Sequence, residues 1–297
     1  MGTLRAHFKV GASMDRFIFF WQHIPERINP NLFEIGSFQL RYYSLMYIIA
    51  FFITYLLVVY RIRSEKLDYS EESLQDYFVW AIIGLLLGAR IGYVLFYNLG
   101  YYLSHPLAVI FPFDISDGFR YVGISGMSYH GGLAGVALAT IIFCRKRGIR
   151  FFPFADLLCS AIPLGYTFGR IGNFINGELY GRMTDHAWGM YFPLDPLVRL
   201  RHPSQLYEAL FEGVVLFVIL WSIRKKRYAE GVLFSSYLIG YGIARFFIEF
   251  AREPDFQIGF VVASITMGQV LCLCMIALGI TLILIKREAE SRPNGAE

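Results

Sequence analysis

Charge is scarce in this sequence: Asp, Glu, Lys and Arg together make up 17% of its 297 residues, against about 25% in soluble globular domains. Too few charges remain to cover a solvated surface, which excludes an ordinary soluble domain. Cysteine is scarce as well. Cys144, Cys159, Cys272 and Cys274 are the only four, all lie in or beside apolar runs, and they show neither Cys-x-x-Cys spacing nor histidine partners. A zinc site or a disulfide framework is thereby excluded, and buried inert thiols are expected. No motif implies a metal or an organic cofactor. Residues 1–13, MGTLRAHFKVGAS, lack the apolar core of a secretory signal. They precede a second methionine, Met14, and read as an added leader or an alternative start outside the fold.

Apolar sequence is what the chain has in excess. Hydrophobic residues reach 56% and the mean hydropathy is +0.48. Apolar runs near 43–60, 76–97, 121–143, 153–172, 206–223, 231–250 and 262–285 each approach the ~20 residues that a membrane-crossing helix needs. The expected fold is an all-α membrane protein of about seven transmembrane helices. Basic residues gather at Arg61/Arg63/Lys66, Arg145/Lys146/Arg147/Arg150, Arg224/Lys225/Lys226/Arg227 and Lys286/Arg287. These clusters fall between alternate spans, so they share one side, which the positive-inside rule makes cytoplasmic. The N-terminus is then outside and the C-terminus inside. The net charge of +4 sets orientation, and no nucleic-acid partner is expected. The organisation expected is an external N-terminal segment 14–42, a membrane domain 43–287 with an external loop 182–203 forming a small cap, and a cytoplasmic tail 288–297.

Ionisable groups inside a bilayer are costly and mark functional sites. At 1.5 Å per helical residue, Arg90 lies roughly 10 Å inward from the outer end of the second span, and His130 is similarly placed in the third. Tyr43 opens the first span, Arg170 and Asn173 close the fourth, and Arg245 and Glu249 occupy the last two turns of the sixth. Five spans thus deliver polar groups to one slab below the outer interface. Plainer readings stand beside this one. Arg245 and Glu249, at i and i+4, could pair along one helix face, Arg90 could snorkel, and His130 could be a packing histidine. Asp156 and Glu208 are read as structural, the latter suiting a helix N-terminus.

The stretch GRIGNFINGELYGR, residues 169–182, resists a packing explanation. Its glycines allow close backbone approach, and irregular backbone at membrane depth survives only inside protein or beside a wet cavity. Arginines in such a wall point to an anion, most plausibly a phosphate, which a guanidinium binds bidentately.

From about residue 30 to 287 the chain resembles the bacterial phosphatidylglycerol–prolipoprotein diacylglyceryl transferases. The resemblance is carried by GRIGNFINGELYG (169–181), SGMSYHGG (125–132), GARIGYVLFYN (88–98), RHPSQLYE (201–208) and GYGIARFFIEFAREPD (240–255). The first fits the family signature Gly-Arg-x-Gly-Asn-Phe-x-Asn-x-Glu-x-x-Gly at every fixed position. The sequence departs from the family at Ser44, where glycine is common, and in the compact external segment after the signature.

The resemblance implies transfer of the diacylglyceryl group of phosphatidylglycerol to the lipobox cysteine of a prolipoprotein signal peptide. A thioether forms and glycerol phosphate leaves, at the outer face of the bacterial cytoplasmic (inner) membrane. It implies catalytic roles for His130, Arg170 and Arg245, and substrate-binding roles for Tyr43, Arg90, Gly126, Gly131, Asn173, Glu178, Gly181 and Glu249. Arg170 and Arg245 would clamp the departing phosphate, with Glu178 and Glu249 holding the guanidinium groups. His130 is either the base that takes the thiol proton or a ligand of the lipid headgroup. An anionic-lipid transporter or binding protein is the alternative reading.

Overall fold

The computed structural model describes residues 14–35, 38–109, 113–114, 120–121, 126–226, 228–253, 260–262 and 265–291. The expected leader 1–13 and the tail beyond 291 lie outside these residues. In chain order the elements are α1 (14–22), α2 (Ile24–Arg27), β1 (Asn31–Ile35), β2 (Phe38–Arg41), α3 (Tyr42–Glu65), α4 (Glu71–Tyr97) and α5 (Leu99–Ser104). Strands β3 (Phe113–Asp114) and β4 (Arg120–Tyr121) follow, then α6 (Tyr129–Arg147), α7 (Phe151–Cys159), α8 (Ile162–Ile175) and α9 (Ser204–Glu208). A π-helical turn, Ala209–Val215, joins α9 to α10 (Leu216–Ile223). The chain continues through α11 (Val232–Ile248), β5 (Phe260–Val262), β6 (Ile265–Thr266) and α12 (Met267–Ser291).

The molecule is a mostly helical, multi-pass membrane protein. The helices Tyr42–Glu65, Glu71–Tyr97, Ser204–Ile223 and Met267–Lys286 are each long and apolar enough to cross a bilayer. A fifth candidate is the pair α7 and α8, bent by 49°. Three two-stranded antiparallel hairpins, β1–β2, β3–β4 and β5–β6, accompany the helices; the expectation of helices alone did not include them. The run expected over 121–143 becomes helical only at Tyr129, where Ser128 caps the first turn by accepting from Gly131 N. The run at 153–172 is broken at Ser160–Ala161, and Pro163 fits the first turn that restarts it. Of the four thiols, Cys144, Cys159 and Cys272 are buried as expected, but Cys274 is exposed on α12.

The chain forms two compact units, residues 62–154 and the remainder. In the first, α4 and α6 approach along a seam of glycines. A Cβ on Gly131 would stand 2.4 Å from the Gly88 carbonyl oxygen, so this close helix contact requires both glycines. One end of the seam is filled by Tyr77, Phe143 and Phe154, and the Tyr77 hydroxyl lies 3.1 Å from Thr140 Oγ1.

In the second unit, Phe174, Met190 and Phe192 form a core packed against Trp21, Ile24, Ile28, Tyr180 and Leu206. Trp21 Nε1 donates to the Trp188 carbonyl at 2.9 Å, tying α1 to the loop 182–203 expected as the cap. At the other end of this unit, buried Arg61 donates to the Asp156 and Leu157 carbonyls and to Ser160 Oγ. The Asp156 carboxylate accepts from Gly231 N at 2.6 Å and Phe234 N at 2.7 Å, satisfying donors left open at the start of α11.

Loss of that cap should loosen α11. Asp156→Ala is expected to destabilise the protein by about 1–2 kcal/mol and Asp156→Asn by less, read as a lowered midpoint of thermal unfolding in detergent.

Candidate functional site

The second unit carries a buried charged cluster built from α8, from α9 with the π turn that follows it, and from the end of α11. Arg170, on α8, places Nε 2.7 Å from Glu208 Oε2 and 2.7 Å from the Tyr166 hydroxyl, one turn back on the same helix. Arg245, in the last turn of α11, contacts Glu208 Oε1 at 3.3 Å, Glu212 Oε1 at 3.8 Å and Glu249 Oε2 at 3.1 Å. Arg252, just past α11, pairs with Glu208 Oε1 and lies 3.5 Å from Glu249 Oε2. Glu208 is therefore shared by three arginines. Glu208 and Glu212 are fully buried, and each arginine keeps a small exposed fringe.

Local backbone features explain how the carboxylates arrive there. Glu208 and Glu212 flank the start of the π turn, a feature that accumulates at functional sites. Gly213 lets α8 close in: a Cβ there would fall 2.0 Å from Thr167 Oγ1. The Thr167 hydroxyl in turn lies 3.3 Å from the Ala209 carbonyl, one of the groups that a π turn leaves poorly paired. Tyr166 donates to Glu212 and sits 3.2 Å from Glu208 Oε2, so one hydroxyl bridges two carboxylates. Glu249 is fixed from its far side by Thr266 Oγ1 at 3.0 Å.

A second chain of contacts leads out of the cluster through the signature. Arg170 Nη1 donates to Asn173 Oδ1 at 3.2 Å, and Asn173 Nδ2 donates to Glu178 Oε1 at 2.8 Å. The Asn173 side chain also reaches the Tyr43 hydroxyl, which donates to Tyr47 at 3.0 Å. Glu178 is presented by an unusual turn: Gly177 and Leu179 both have positive φ, at 70° and 58°. For leucine this conformation is strained, and the turn is clamped by Gln205 Nε2 on the Glu178 carbonyl and Ser204 Oγ on the Leu179 carbonyl.

The expected site residues therefore divide. Tyr43, Arg170, Asn173, Glu178, Arg245 and Glu249 belong to one connected network. Glu249 holds guanidinium groups as expected, whereas Glu178 connects to Arg170 through Asn173. Gly181 lies at the edge of the cap, where a Cβ would meet the Ala251 carbonyl oxygen at 2.2 Å. His130, Arg90, Gly126 and Gly131 belong to the other unit. His130 is exposed in the first turn of α6. Arg90 donates to the Ala108, Val109 and Gly126 carbonyls and stacks over Tyr102, a fixed role rather than simple snorkelling. Gly126 has φ 86° and lies against the Tyr93 ring.

Four participants were not among the expected site residues: Tyr166, Glu208, Glu212 and Arg252. Glu212 carried a signal, since a carboxylate one turn inside an apolar run is costly without a purpose. Arg252 also did, at i+3 from Glu249 and i+7 from Arg245.

Chemically, the cluster balances three arginines against three glutamates. Among the described residues, Arg245 Nη1 makes no hydrogen bond but lies within ion-pair distance of Glu208 Oε1 at 3.3 Å and Glu212 Oε1 at 3.8 Å. Three guanidinium groups gathered this closely suit an anionic ligand.

Comparison with known proteins bears on what that ligand is. The family model described as prolipoprotein diacylglyceryl transferase matches residues 30–285. The chain is 54% identical over 277 residues to the phosphatidylglycerol–prolipoprotein diacylglyceryl transferase of Chlorobaculum tepidum, covering 93% of this chain and 96% of that protein. It is 45% identical to the Campylobacter jejuni protein of the same name, over 86% and 93% of the two chains. The Campylobacter lari protein, again of that name, is 44% identical over 89% and 95%.

Two outcomes follow from the geometry. Glu208→Ala leaves three arginines short of their shared partner and should destabilise the protein by about 3–5 kcal/mol; Glu208→Gln, which keeps the volume and an acceptor, should retain more of the fold. Thermal unfolding of both variants measures the difference. In the cap, Arg201 holds the Asp195 carboxyl below the usual carboxylate range through contacts of 2.8 and 2.9 Å. Asp titrates near 3.9 when unfolded, so this stabilisation is complete above that value and is lost as the pH falls through the lower folded value. Protease sensitivity of residues 182–203 should rise on acidification towards pH 3, and Asp195→Asn should show that sensitivity already at neutral pH.

Proposed function

The chain belongs to the prolipoprotein diacylglyceryl transferase family, and on that premise we propose that the arginine–glutamate cluster is where the donor lipid's phosphate departs. The protein is a transferase that moves the diacylglyceryl group of phosphatidylglycerol to prolipoproteins. The observation that carries the assignment of the site is the gathering of Arg170, Arg245 and Arg252 around one buried carboxylate, Glu208.

In the step proposed, the sulfur of the lipobox cysteine bonds to the glyceryl carbon while that carbon's bond to the phosphate oxygen breaks. The electron pair leaves with glycerol phosphate, whose phosphate gains negative charge as the bond stretches. Fixed guanidinium donors therefore bind the transition state more tightly than the ground state. Arg170 and Arg245 act on the phosphate oxygens. Glu208 keeps both groups aimed, Glu249 holds Arg245, and Tyr166 and Asn173 hold Arg170 from either side. Tyr43 and Glu178 bind the headgroup through Asn173.

Thiolate is the nucleophile, and a free cysteine is mostly protonated at neutral pH. His130 takes the thiol proton, or it binds the headgroup and the cationic field alone favours thiolate. Its exposed position in α6 supports access to a substrate in either case. Arg90, Gly126 and Gly131 support it indirectly, by shaping the backbone next to α6.

We further propose seven crossings, with α6 and α11 added to the long helices and the bent pair. The N-terminus and the cap face outward, and the chain resides in the bacterial cytoplasmic membrane. The alternation of the basic clusters supports this orientation. Phosphatidylglycerol then enters sideways from the bilayer, and the signal helix of the prolipoprotein lies in the same plane. A transporter or lipid-binding protein would leave no covalent product, and the named relatives do not favour that reading.

Purified protein mixed with phosphatidylglycerol and a lipobox peptide should add a diacylglyceryl mass to the cysteine peptide and none to its serine counterpart, with glycerol phosphate released. Arg170→Ala and Arg245→Ala should each lower kcat by about 10²–10³. No mass gain from folded protein would overturn the reading, as would full activity in both arginine variants.

A further inference from the structure

The N-terminal helix α1 turns large aromatic side chains outward. Phe17 is 62% exposed and Phe20 51%. Three positions apart, the two rings share one helix face, and Arg16, four positions before Phe20, borders it. Arg27, at the end of α2, sets its guanidinium over the Phe20 ring, 5.0 Å from the centroid. Ile18, Trp21 and Gln22 are less exposed and form the side that meets the rest of the unit.

That inner side is fastened to the loop 182–203 at three points. Trp21 Nε1 donates to the Trp188 carbonyl at 2.9 Å, Gln22 Nε2 to the Ala187 carbonyl at 3.2 Å, and Tyr191 N to the Gln22 carbonyl at 2.8 Å. Trp188 carries the connection further, because its indole N–H donates to the Tyr207 hydroxyl on α9. On the other side of α2, the β1–β2 hairpin ends at Arg41 and α3 begins at the next residue. That helix is long and apolar enough to cross a bilayer, and Tyr42 N donates to the Pro30 carbonyl at 3.0 Å, fixing the junction. Leu32 and Phe33 of the hairpin are exposed as well. The N-terminal segment is thus held where a span enters the membrane.

We infer that α1 lies in the headgroup layer of the outer leaflet, with Phe17 and Phe20 inserted and Arg16 and Arg27 at the lipid phosphates, and that it moors the loop 182–203 to the membrane. The inference goes beyond the transferase reading and takes only its leaflet from the orientation proposed above. Large rings exposed on one face mark an interaction surface. Aromatic side chains bordered by arginines are the composition of helices that lie in a bilayer interface, where the long arginine stems reach the phosphates. A second apolar helix would cover the rings but supply no anion to Arg16 and Arg27, whereas an anionic lipid surface supplies both.

The test uses the full-length protein, with the exposed thiol removed by Cys274→Ser, in vesicles of phosphatidylglycerol and phosphatidylethanolamine. Nitroxides attached singly at Asp15→Cys, Phe17→Cys and Phe20→Cys report depth through their relative accessibility to oxygen, which partitions into bilayers, and to a water-soluble nickel chelate. Oxygen should dominate at 17 and 20, and the chelate at 15. Chelate dominance at all three positions would overturn the inference. Protection of 17 and 20 from both reagents would mark a protein contact and overturn it as well. In spheroplasts, a membrane-impermeant maleimide should reach Asp15→Cys from outside. Reaction only after the inner face is opened would overturn the proposed orientation and the leaflet with it, whereas chelate-exposed rings overturn the anchor alone.

The mooring has its own readout. Phe17→Ser combined with Phe20→Ser should raise proteolysis within 182–203 several-fold in vesicles, and Phe17→Trp combined with Phe20→Trp, which keeps the affinity for an interface, should not. Unchanged cleavage in the serine pair, or an equal rise in both pairs, would overturn the mooring.

Discussion

One carboxylate organises the charged half of this protein. Glu208 lies within ion-pair distance of Arg170, Arg245 and Arg252, which come from α8, from the end of α11 and from the segment just beyond it. Nothing apolar could replace it, because three cations would then lose the carboxylate they share. Its position at the start of a π turn, with Gly213 tucked against Thr167, shows how far the local backbone is bent to that purpose. Buried ion pairs are poor sources of stability, since desolvation offsets much of their attraction. A network of three arginines and three glutamates is better understood as positioning. It holds cationic donors rigidly in a place where mobile ones would have to reorganise during the reaction.

The signature extends that constraint outward. Arg170 is held by Tyr166 from one turn below and by Asn173 from one turn above, and Asn173 is held by Glu178. Glu178 depends on a turn with two consecutive backbone irregularities, which Ser204 and Gln205 pin from α9. The same short helix that delivers Glu208 to the arginines thus also secures the turn that orients Asn173. This dual attachment gives a physical reason for the sequence HPSQLYE: the serine and glutamine serve the signature, the tyrosine accepts from Trp188, and the glutamate serves the cluster.

Much of this was legible in the sequence, for uneven reasons. Membrane character follows from scarce charge and repeated apolar runs, because both are properties of the whole chain. Arg170, Asn173, Arg245 and Glu249 stood out since polar groups are rare at such depth. Glu208 was read as structural because a carboxylate near a helix start has an ordinary explanation, and its three partners, 37 to 44 positions away, leave no local pattern. Tyr166 looked like one more aromatic in a chain with 20 tyrosines. The hairpins were missed because strands of two to five residues leave little period-2 pattern. The break between α7 and α8 sits inside a largely apolar run, where Pro163 is the trace of a restarted helix. The glycines at 126, 131 and 181 were legible as special positions, and a Cβ on each would press on a neighbour, Tyr93, Gly88 and Ala251 respectively.

The division of labour between neighbouring residues bears on why the reaction belongs at this depth. Along 207–212 and 244–249, adjacent side chains part to opposite surroundings, one into a dense set of charges and the next into an apolar trough. A boundary that sharp within a single helical turn matches the boundary within a phospholipid, where a phosphate and an acyl chain are separated only by a glyceryl unit. The bond to be broken lies at that junction. A site wholly in water would leave the acyl chains exposed, and one wholly in hydrocarbon would strip the phosphate of partners. Placing guanidinium groups on one face of these turns and apolar side chains on the next meets both demands at once.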